Sequence, residues 1–432
     1  MKNLATALIL IINVAMANGL DIYVLCEGNF GQNNSTLWRI GVWDETIYGP
    51  IYQEITGNEL GDVGQSLTLQ GSKLYVIMNN SHTIEVLELF NEDEYITTIE
   101  IPGASPREMK VVGNTGYVTC WGINGILAID LNTYTIQDTI QLNGLPEDIV
   151  HQGGFLYVSM TMNTDWTSGN QVVVIDINEE NPVVSNSFEV VPGPGQMIIH
   201  DSQLYVASIY YGWGWYSSAG MSKIDLISGE VLMNDYGQTY DYGVDITYYD
   251  SQIYRTFQTG IAPLNEDLSI DTSGIIGNYS NIYSMENGFV VGLSNYAAPD
   301  TVVVLPPSSV EETIYQVGAI PGSFAFYNYG LSVDEKNAFP TKITLHQNYP
   351  NPFNAETTIQ YTLSKQSPVI LTIHDLKGRI VRELVNEVQQ RGEKSIMWSG
   401  RDNAGFPVSS GIYITSLQSG NEKFTNKMLL LK

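Results

Sequence analysis

The sequence predicts an all-β fold made from one repeated hairpin, and three observations carry the prediction. The 432 residues include 27 Tyr and 40 Gly while only 15% are charged, a balance that suits sheets and turns better than surface helices. No sustained helical periodicity follows the first twenty residues. A frame of nine residues joins a polar residue to a tyrosine along most of the chain: Ser66 to Tyr75, Glu108 to Tyr117, Asp148 to Tyr157, Gln196 to Tyr205, Asp245 to Tyr254 and, with valine in the tyrosine slot, Asn281 to Val290.

In each copy an apolar residue follows the polar one (Leu67, Met109, Ile149, Met197, Ile246, Ile282), and a turn falls about four residues before the tyrosine slot. Strand, tight turn, strand is a hairpin. With Tyr23 opening the series, the tyrosine slots lie 36 to 52 residues apart, the period of a four-stranded propeller blade. We name the strands A to D, the frame spanning A and B. Strand C is apolar, as in "GILAIDL", and D follows, as in "TIQDTIQL". The first copy begins directly at strand B, "DIYVLCEG", and a spare strand A, "IPGSFAFYN" (Ile320–Asn328), ends the series. The expected architecture is a seven-bladed β-propeller over residues 19–330, its ring closed by that last strand A pairing with the N-terminal strand B. Closure would remove the open sheet edges that template aggregation.

The opening "MKNLATALILIINVAMANG" has an early lysine, an apolar run and Ala15-Met16-Ala17. It reads as a signal peptide, residues 1–17, cut after Ala17. Its apolar run is shorter than the roughly 20 residues of a membrane span, and no later segment is long and apolar enough for one. The two cysteines, Cys26 and Cys120, occupy the same slot of non-adjacent repeats and are expected to be too far apart to bond. Charge is uneven: from Ala338 onward there are 11 Lys/Arg against 7 Asp/Glu, +4, whereas the preceding residues hold 8 against 39, −31. So acidic a first part excludes nucleic acid and anionic lipid as partners.

The "LYV" and "IDL" strands, with a proline before the next strand A, resemble the YVTN-type propellers of surface-layer and YncE-like bacterial proteins. The best stretch is "ILAIDLNTYTIQDTIQLNGLPEDIVHQGGFLYVSM"; the sixth and seventh copies depart from it, with Arg255 in place of valine and "GFVVG" in place of "LYV". The resemblance implies a fold and an extracytoplasmic habit and supplies no reaction.

Residues 331–342 are polar without strand alternation and read as a linker. Beyond it, "QNYPNPFN", the alternating strands "TTIQYTL" and "VILTIHDL", and the closing "SSGIYITSLQSG" and "KFTNKMLLLK" closely resemble the type A sorting domain of the type IX secretion system. Ala355 departs, standing where that family usually has proline. The resemblance implies a C-terminal Ig-like β-sandwich over residues 343–432, recognised by the secretion machinery and usually removed. The product would be secreted across the outer membrane, to the cell surface or the medium.

On a propeller the B-to-C and D-to-A loops share one face. Three consecutive blades load it with rings: Trp121; Trp166; then Tyr210, Tyr211, Trp213, Trp215 and Tyr216. Glu108, Asp148 and Gln196 stand beside them at the starts of strands A. Rings flanked by polar side chains suit a sugar or a protein partner, and the same rings could serve to pack the long loops. No cofactor is called for. Ca²⁺ is the one ion the acidic face would admit, although no aspartate-rich calcium loop accompanies it. The five histidines form no spaced metal motif, and the Gly-x-Ser-x-Gly elbow and zinc-ligand spacings are missing. The expected function is an exported binding protein for a glycan or protein ligand. The alternatives are a propeller hydrolase or lyase acting on a carbohydrate or lactone, and a structural surface-layer component.

Overall fold

The computed structural model describes residues 20–431 except 43, 90–92, 179–181, 213–215, 239–241, 250–251, 280–281, 287–289, 305–311, 329–343, 355, 364–366, 390–391 and 420–421. The expected signal peptide and linker, and Trp213, Trp215 and Ala355, lie outside the described residues. The chain forms two compact units, residues 1–330 and 331–432. Both are β-structures, with one α-helix, α1 (Ile51–Thr56), among the described residues.

Among its described residues the first unit contains seven antiparallel sheets. In sheets 2 to 5 each strand pairs only with its sequence neighbours. In sheet 2 these are Gly64–Gln70 (A), Lys73–Met78 (B), Thr83–Glu88 (C) and Glu94–Glu100 (D). Strands A of sheets 3, 4 and 5 are Pro106–Val112, Leu145–Gln152 and Pro194–His200. In sheet 1 the A position is taken by Pro321–Asn328, which runs antiparallel to Leu20–Cys26 with Ala325 opposite Tyr23. Each strand A lies against strand A of the next sheet, and that of sheet 7 (Ile282–Glu286) lies against that of sheet 1.

The nine-residue frame is a hairpin because a two-residue turn sits inside it. Gln70 faces Lys73, Val112 faces Thr115, Gln152 faces Phe155 and His200 faces Gln203. The turns adopt the left-handed φ that a tight hairpin needs: +60° at Gly71 and Gly113, and +46° and +62° at Asp201 and Ser202. The tyrosine slot is thereby third in strand B, and the apolar follower of the frame faces the residue after the tyrosine: Met109 opposite Val118, Ile149 opposite Val158.

Two copies differ from expectation. In sheet 7, Val290 opens its strand instead of standing third, and the residue opposite Val291 is Met285. The frame residue there is Ser284, not Asn281, which lies outside the described residues. Among the described residues sheet 6 has three strands, Tyr242–Tyr249, Gln252–Phe257 and Gly260–Pro263. Where its fourth would run, Asp267 and Asp271 each accept the backbone N–H and hydroxyl of the serine two residues on, local turns that compete with a ladder.

Apolar clusters fill the spaces between successive sheets. Tyr23, Leu37, Leu74 and Val76 pack between sheets 1 and 2, while Ile22, Val24 and Phe324 pack against Val290, Val302 and Val317 of sheet 7. Cys26 and Cys120 are buried and unbonded, and burial pushes each thiol up to about 12. Arg255 is wholly buried and donates to the carbonyls of Ser208, Gly220 and Gly243. These acceptors explain why the sixth copy carries arginine where others carry valine.

The second unit packs a three-stranded sheet with a five-stranded one. Trp398 is buried between Phe353 and Tyr413, its ring centre 5.6 and 5.2 Å from theirs. The "QNYPNPFN" segment is stitched down by its amides. Asn348 donates to the Pro350 carbonyl and the Thr357 hydroxyl, and Asn351 bridges the Lys427 carbonyl and the Leu429 N–H of the last strand.

Candidate functional site

The frame residues have a structural duty that explains their polarity. Pairing of strand A with B is interrupted by a register shift at the frame in every sheet of the first unit. Such bulges re-aim a side chain and leave backbone groups to be satisfied. The frame side chains then reach the next sheet. Asp148 accepts from Met197 N–H (2.5 Å), Gln196 from Ile246 N–H (2.5 Å) and Asp245 from Met285 N–H (2.6 Å). Ser66 donates to the Arg107 carbonyl (2.7 Å), Ser284 donates to the Pro321 carbonyl, and Ser323 accepts from Leu67 N–H (3.0 Å). Glu108 departs from this belt: its carboxyl meets Ser66, and the Ile149 N–H that it would take is held by Asp148 Oδ1 (2.7 Å).

Burial raises these carboxyls. Asp148 is pushed up to about 6, with its two backbone N–H bonds partly offsetting desolvation, and Asp245 to about 7, offset by Met285 N–H and Arg255. Glu108 lies well above the usual carboxylate range through burial and through repulsion from Asp148 and Glu147.

One residue nearer the start of strand A, sheets 2, 3, 4 and 7 carry Gln65, Arg107, Glu147 and Tyr283, a second polar layer that we call the mouth. Arg107 is clamped by Glu147: Nε lies 3.1 and 3.0 Å from its two oxygens and NH2 2.5 Å from Oε1. Arg107 NH1 also donates to Gln65 Oε1 (2.6 Å), and its guanidinium lies 4.4 Å over the Trp121 ring centre. Gly322 holds the equivalent position in sheet 1, and the carboxylate of Glu27 occupies the space a side chain would fill there, 2.5 Å from where a Cβ would stand. Glu27 bonds Tyr283 of sheet 7. It is pushed up to about 7 by burial, offset by Tyr283 and Arg107 and reinforced by Glu147. Gly195 leaves the sheet 5 position without a side chain.

Above the mouth stand the B-to-C loops. Trp121 meets Trp166 edge to face (6.2 Å, 80°). Trp166 is 68% exposed, and Tyr211 and Tyr216 on the long sheet 5 hairpin are 56% and 50% exposed. The loops of sheets 1 and 7 add Phe30 (77%) and Tyr296 (64%). Asn29 Nδ2 donates to the Tyr296 carbonyl (3.0 Å), and Tyr283 meets Tyr296 edge to face. Buried Trp121 Nε1 has no hydrogen-bond partner among the described residues.

The expected site residues thus divide. Trp121, Trp166, Tyr211 and Tyr216 lie on the loop tips, Trp121 touching Trp166 and the mouth through Arg107. Asp148 and Gln196 engage the next sheet's backbone, and Glu108 lies among them. Sequence reasoning passed over Glu27, Arg107, Glu147, Tyr283, Phe30 and Tyr296. Arg107 and Glu147 stand one residue before Glu108 and Asp148, so the frame offered a signal. Among the described residues no cluster of three or more His, Cys, Asp and Glu side chains could hold a metal ion.

Residues 352–423 match the family model of the FlgD Ig-like domain. No curated protein matches the chain in sequence. In structure it is similar to a protein from Lactobacillus plantarum, at 12% identity over 72% of this chain and 100% of that one, with a TM-score of 0.52. It is similar to candidate 6-phosphogluconolactonases from Bacteroides fragilis (13% identity, 72% and 98%, TM-score 0.52) and Bacteroides uniformis (14%, 72% and 100%, 0.52). At such identity the likeness is one of fold alone. These neighbours are β-propeller proteins, and this chain joins a β-propeller fold to a C-terminal Ig-like domain.

Proposed function

We propose that the protein is an exported β-propeller, displayed at the cell surface or released, that binds a glycan across the aromatic loops above its mouth. The observation that carries this reading is the placement of the rings. Phe30 and Tyr296 in sheets 1 and 7, and Trp121, Trp166, Tyr211 and Tyr216 in sheets 3 to 5, flank a floor of hydrogen-bonding side chains. Rings offer faces to the C–H surface of a sugar, and Gln65, Glu147, Glu27 and Tyr283 offer partners for its hydroxyls. In this reading the seven sheets are seven blades of a ring, held shut where Pro321–Asn328 pairs with Leu20–Cys26. A glycan array probed with residues 18–330 tests it. Selective binding that falls at least tenfold in Trp121→Ala/Trp166→Ala supports the reading. No glycan bound, or unchanged binding by the variant, would move the function to a protein partner or to lateral assembly.

Delivery belongs to the second unit. The "QNYPNPFN" entry and the basic closing strand support type IX secretion, with the Ig-like domain as its sorting signal. Deleting residues 342–432 is then expected to leave the propeller in the periplasm, as read by cell fractionation and surface proteolysis. Normal display of the deleted chain would refute the assignment.

A hydrolase or lyase is favoured by one observation, the buried carboxyl of Glu27 bonded to Tyr283, which burial pushes up to about 7, in the range of a general acid or base at neutral pH. Turnover of a bound glycan by the native protein and not by Glu27→Gln would establish it.

A further inference from the structure

The loop that carries Phe30 also walls a separate cavity of about 230 Å³, enclosed by residues 32–37, α1 and the residues that follow it. Its apolar lining is Leu37, Leu60, Pro50 and the ring of Tyr52, whose hydroxyl bonds to buried Glu85 (2.9 Å). Its rim carries Gln32, Asn33, Gln53 and Glu59. Asn33 donates to Glu59 Oε2 (2.6 Å), and the side chains of Gln32 and Gln53 have no hydrogen-bond partner among the described residues. No Lys or Arg is among the described residues that line the cavity.

The wall is fixed before any ligand arrives. Both oxygens of Asp62 accept from Gly31 N–H (3.1 and 2.9 Å), Asn34 Oδ1 accepts from Asn29 N–H (2.7 Å), and Ser35 Oγ donates to the Glu27 carbonyl. Preorganisation of this kind lowers the ordering cost of binding. A carboxamide offers donor and acceptor together, as a pair of sugar hydroxyls does. A rim of carboxamides with a single carboxylate, and no cation, selects against phosphate, sulfate and uronate groups. The volume falls below the roughly 300–1,000 Å³ of sites for drug-sized ligands, so it suits one sugar ring.

We propose that this cavity is a subsite for a neutral monosaccharide unit, distinct from the mouth. The proposal takes its ligand class from the glycan reading above and rests on different residues. Saturation-transfer NMR on the full chain tests it, with methyl glucoside, methyl galactoside and methyl mannoside as probes. Glucuronate and glucose 6-phosphate serve as charged controls, and a mixed glycan library reports on the mouth. The expected result is saturation of a neutral hexoside but of neither charged sugar. That signal falls at least fivefold in Gln32→Ala/Gln53→Ala, two exposed positions whose change leaves the fold intact, and persists in Trp166→Ala. A hexoside signal unchanged in the double variant overturns the subsite and leaves the glycan reading standing. So does binding of library glycans, abolished by Trp121→Ala/Trp166→Ala, without any hexoside signal. Absence of every saccharide signal overturns both.

Discussion

Asp148 and Asp245 are buried acids that accept backbone N–H groups from the next sheet, and this makes stability depend on pH in a particular direction. Asp245 is pushed up to about 7 and Asp148 to about 6, above an unfolded value of about 3.9. A carboxyl raised in this way keeps its proton in the folded chain where the unfolded chain has lost it. Its contribution is therefore complete below about pH 4 and is lost as pH rises through 6 to 7. Asp225 and Asp375, held below the usual range by their hydrogen bonds, act in the opposite sense only below about pH 4. The melting temperature should fall between pH 4.5 and 8. Asp245→Asn keeps an oxygen for Met285 N–H while removing the titration, and should flatten that fall by an amount on the order of 4 kcal/mol in stability. Equal slopes in the two proteins would show that Asp245 does not titrate as described. At this scale the sequence disclosed the recurring polar residue but not its task, because a bulge that turns a side chain toward the neighbouring sheet leaves no mark in spacing. Phe30 and Tyr296 were illegible for another reason: each is a single ring in a short loop, and only the fold shows that those loops are B-to-C loops like those of Trp121 and Trp166.

The hairpin is the element on which the fold rests, and it was legible because a two-residue turn fixes register. Where the turn keeps its length the frame locates every paired residue; where Val290 opens its strand, the count misses by three and points to Asn281 instead of Ser284. The strand Pro321–Asn328 packs on both sides. Phe324 packs with sheet 7, and Ala325 and Tyr327 with sheet 2. Burial of the two aromatic side chains stabilises by roughly 3–6 kcal/mol together, and their strand covers the backbone edge of Leu20–Cys26. A chain ending at residue 319 should therefore lose cooperative unfolding and aggregate, while one ending at residue 330 should stay soluble and melt in a single transition. Light scattering and denaturant titration compare them. A soluble, cooperative shorter chain would contradict the proposed closure.

For the whole molecule, the charge division between a first part at −31 and a last part at +4 falls near the boundary between the two compact units. The acidic part is expected to repel polyanions, and the basic Ig-like part ends in a strand clasped by Asn351. The sheets and the Ig-like unit could be read from repeats and motifs, whereas the ligand could not, since the proposed binding draws on loop rings from five different sheets. The central claim is that these loops are where the ligand sits, and hydrogen–deuterium exchange of residues 18–330 with a saturating glycan ligand tests it most directly. The account predicts slowed exchange in residues 27–35, 121–124, 163–167, 212–216 and 294–299, with little change in the turns at 71–72, 113–114 and 153–154 at the opposite ends of the strands A. Protection confined to those turns, or to the outer strands D, would place the ligand elsewhere and leave the aromatic loops as packing.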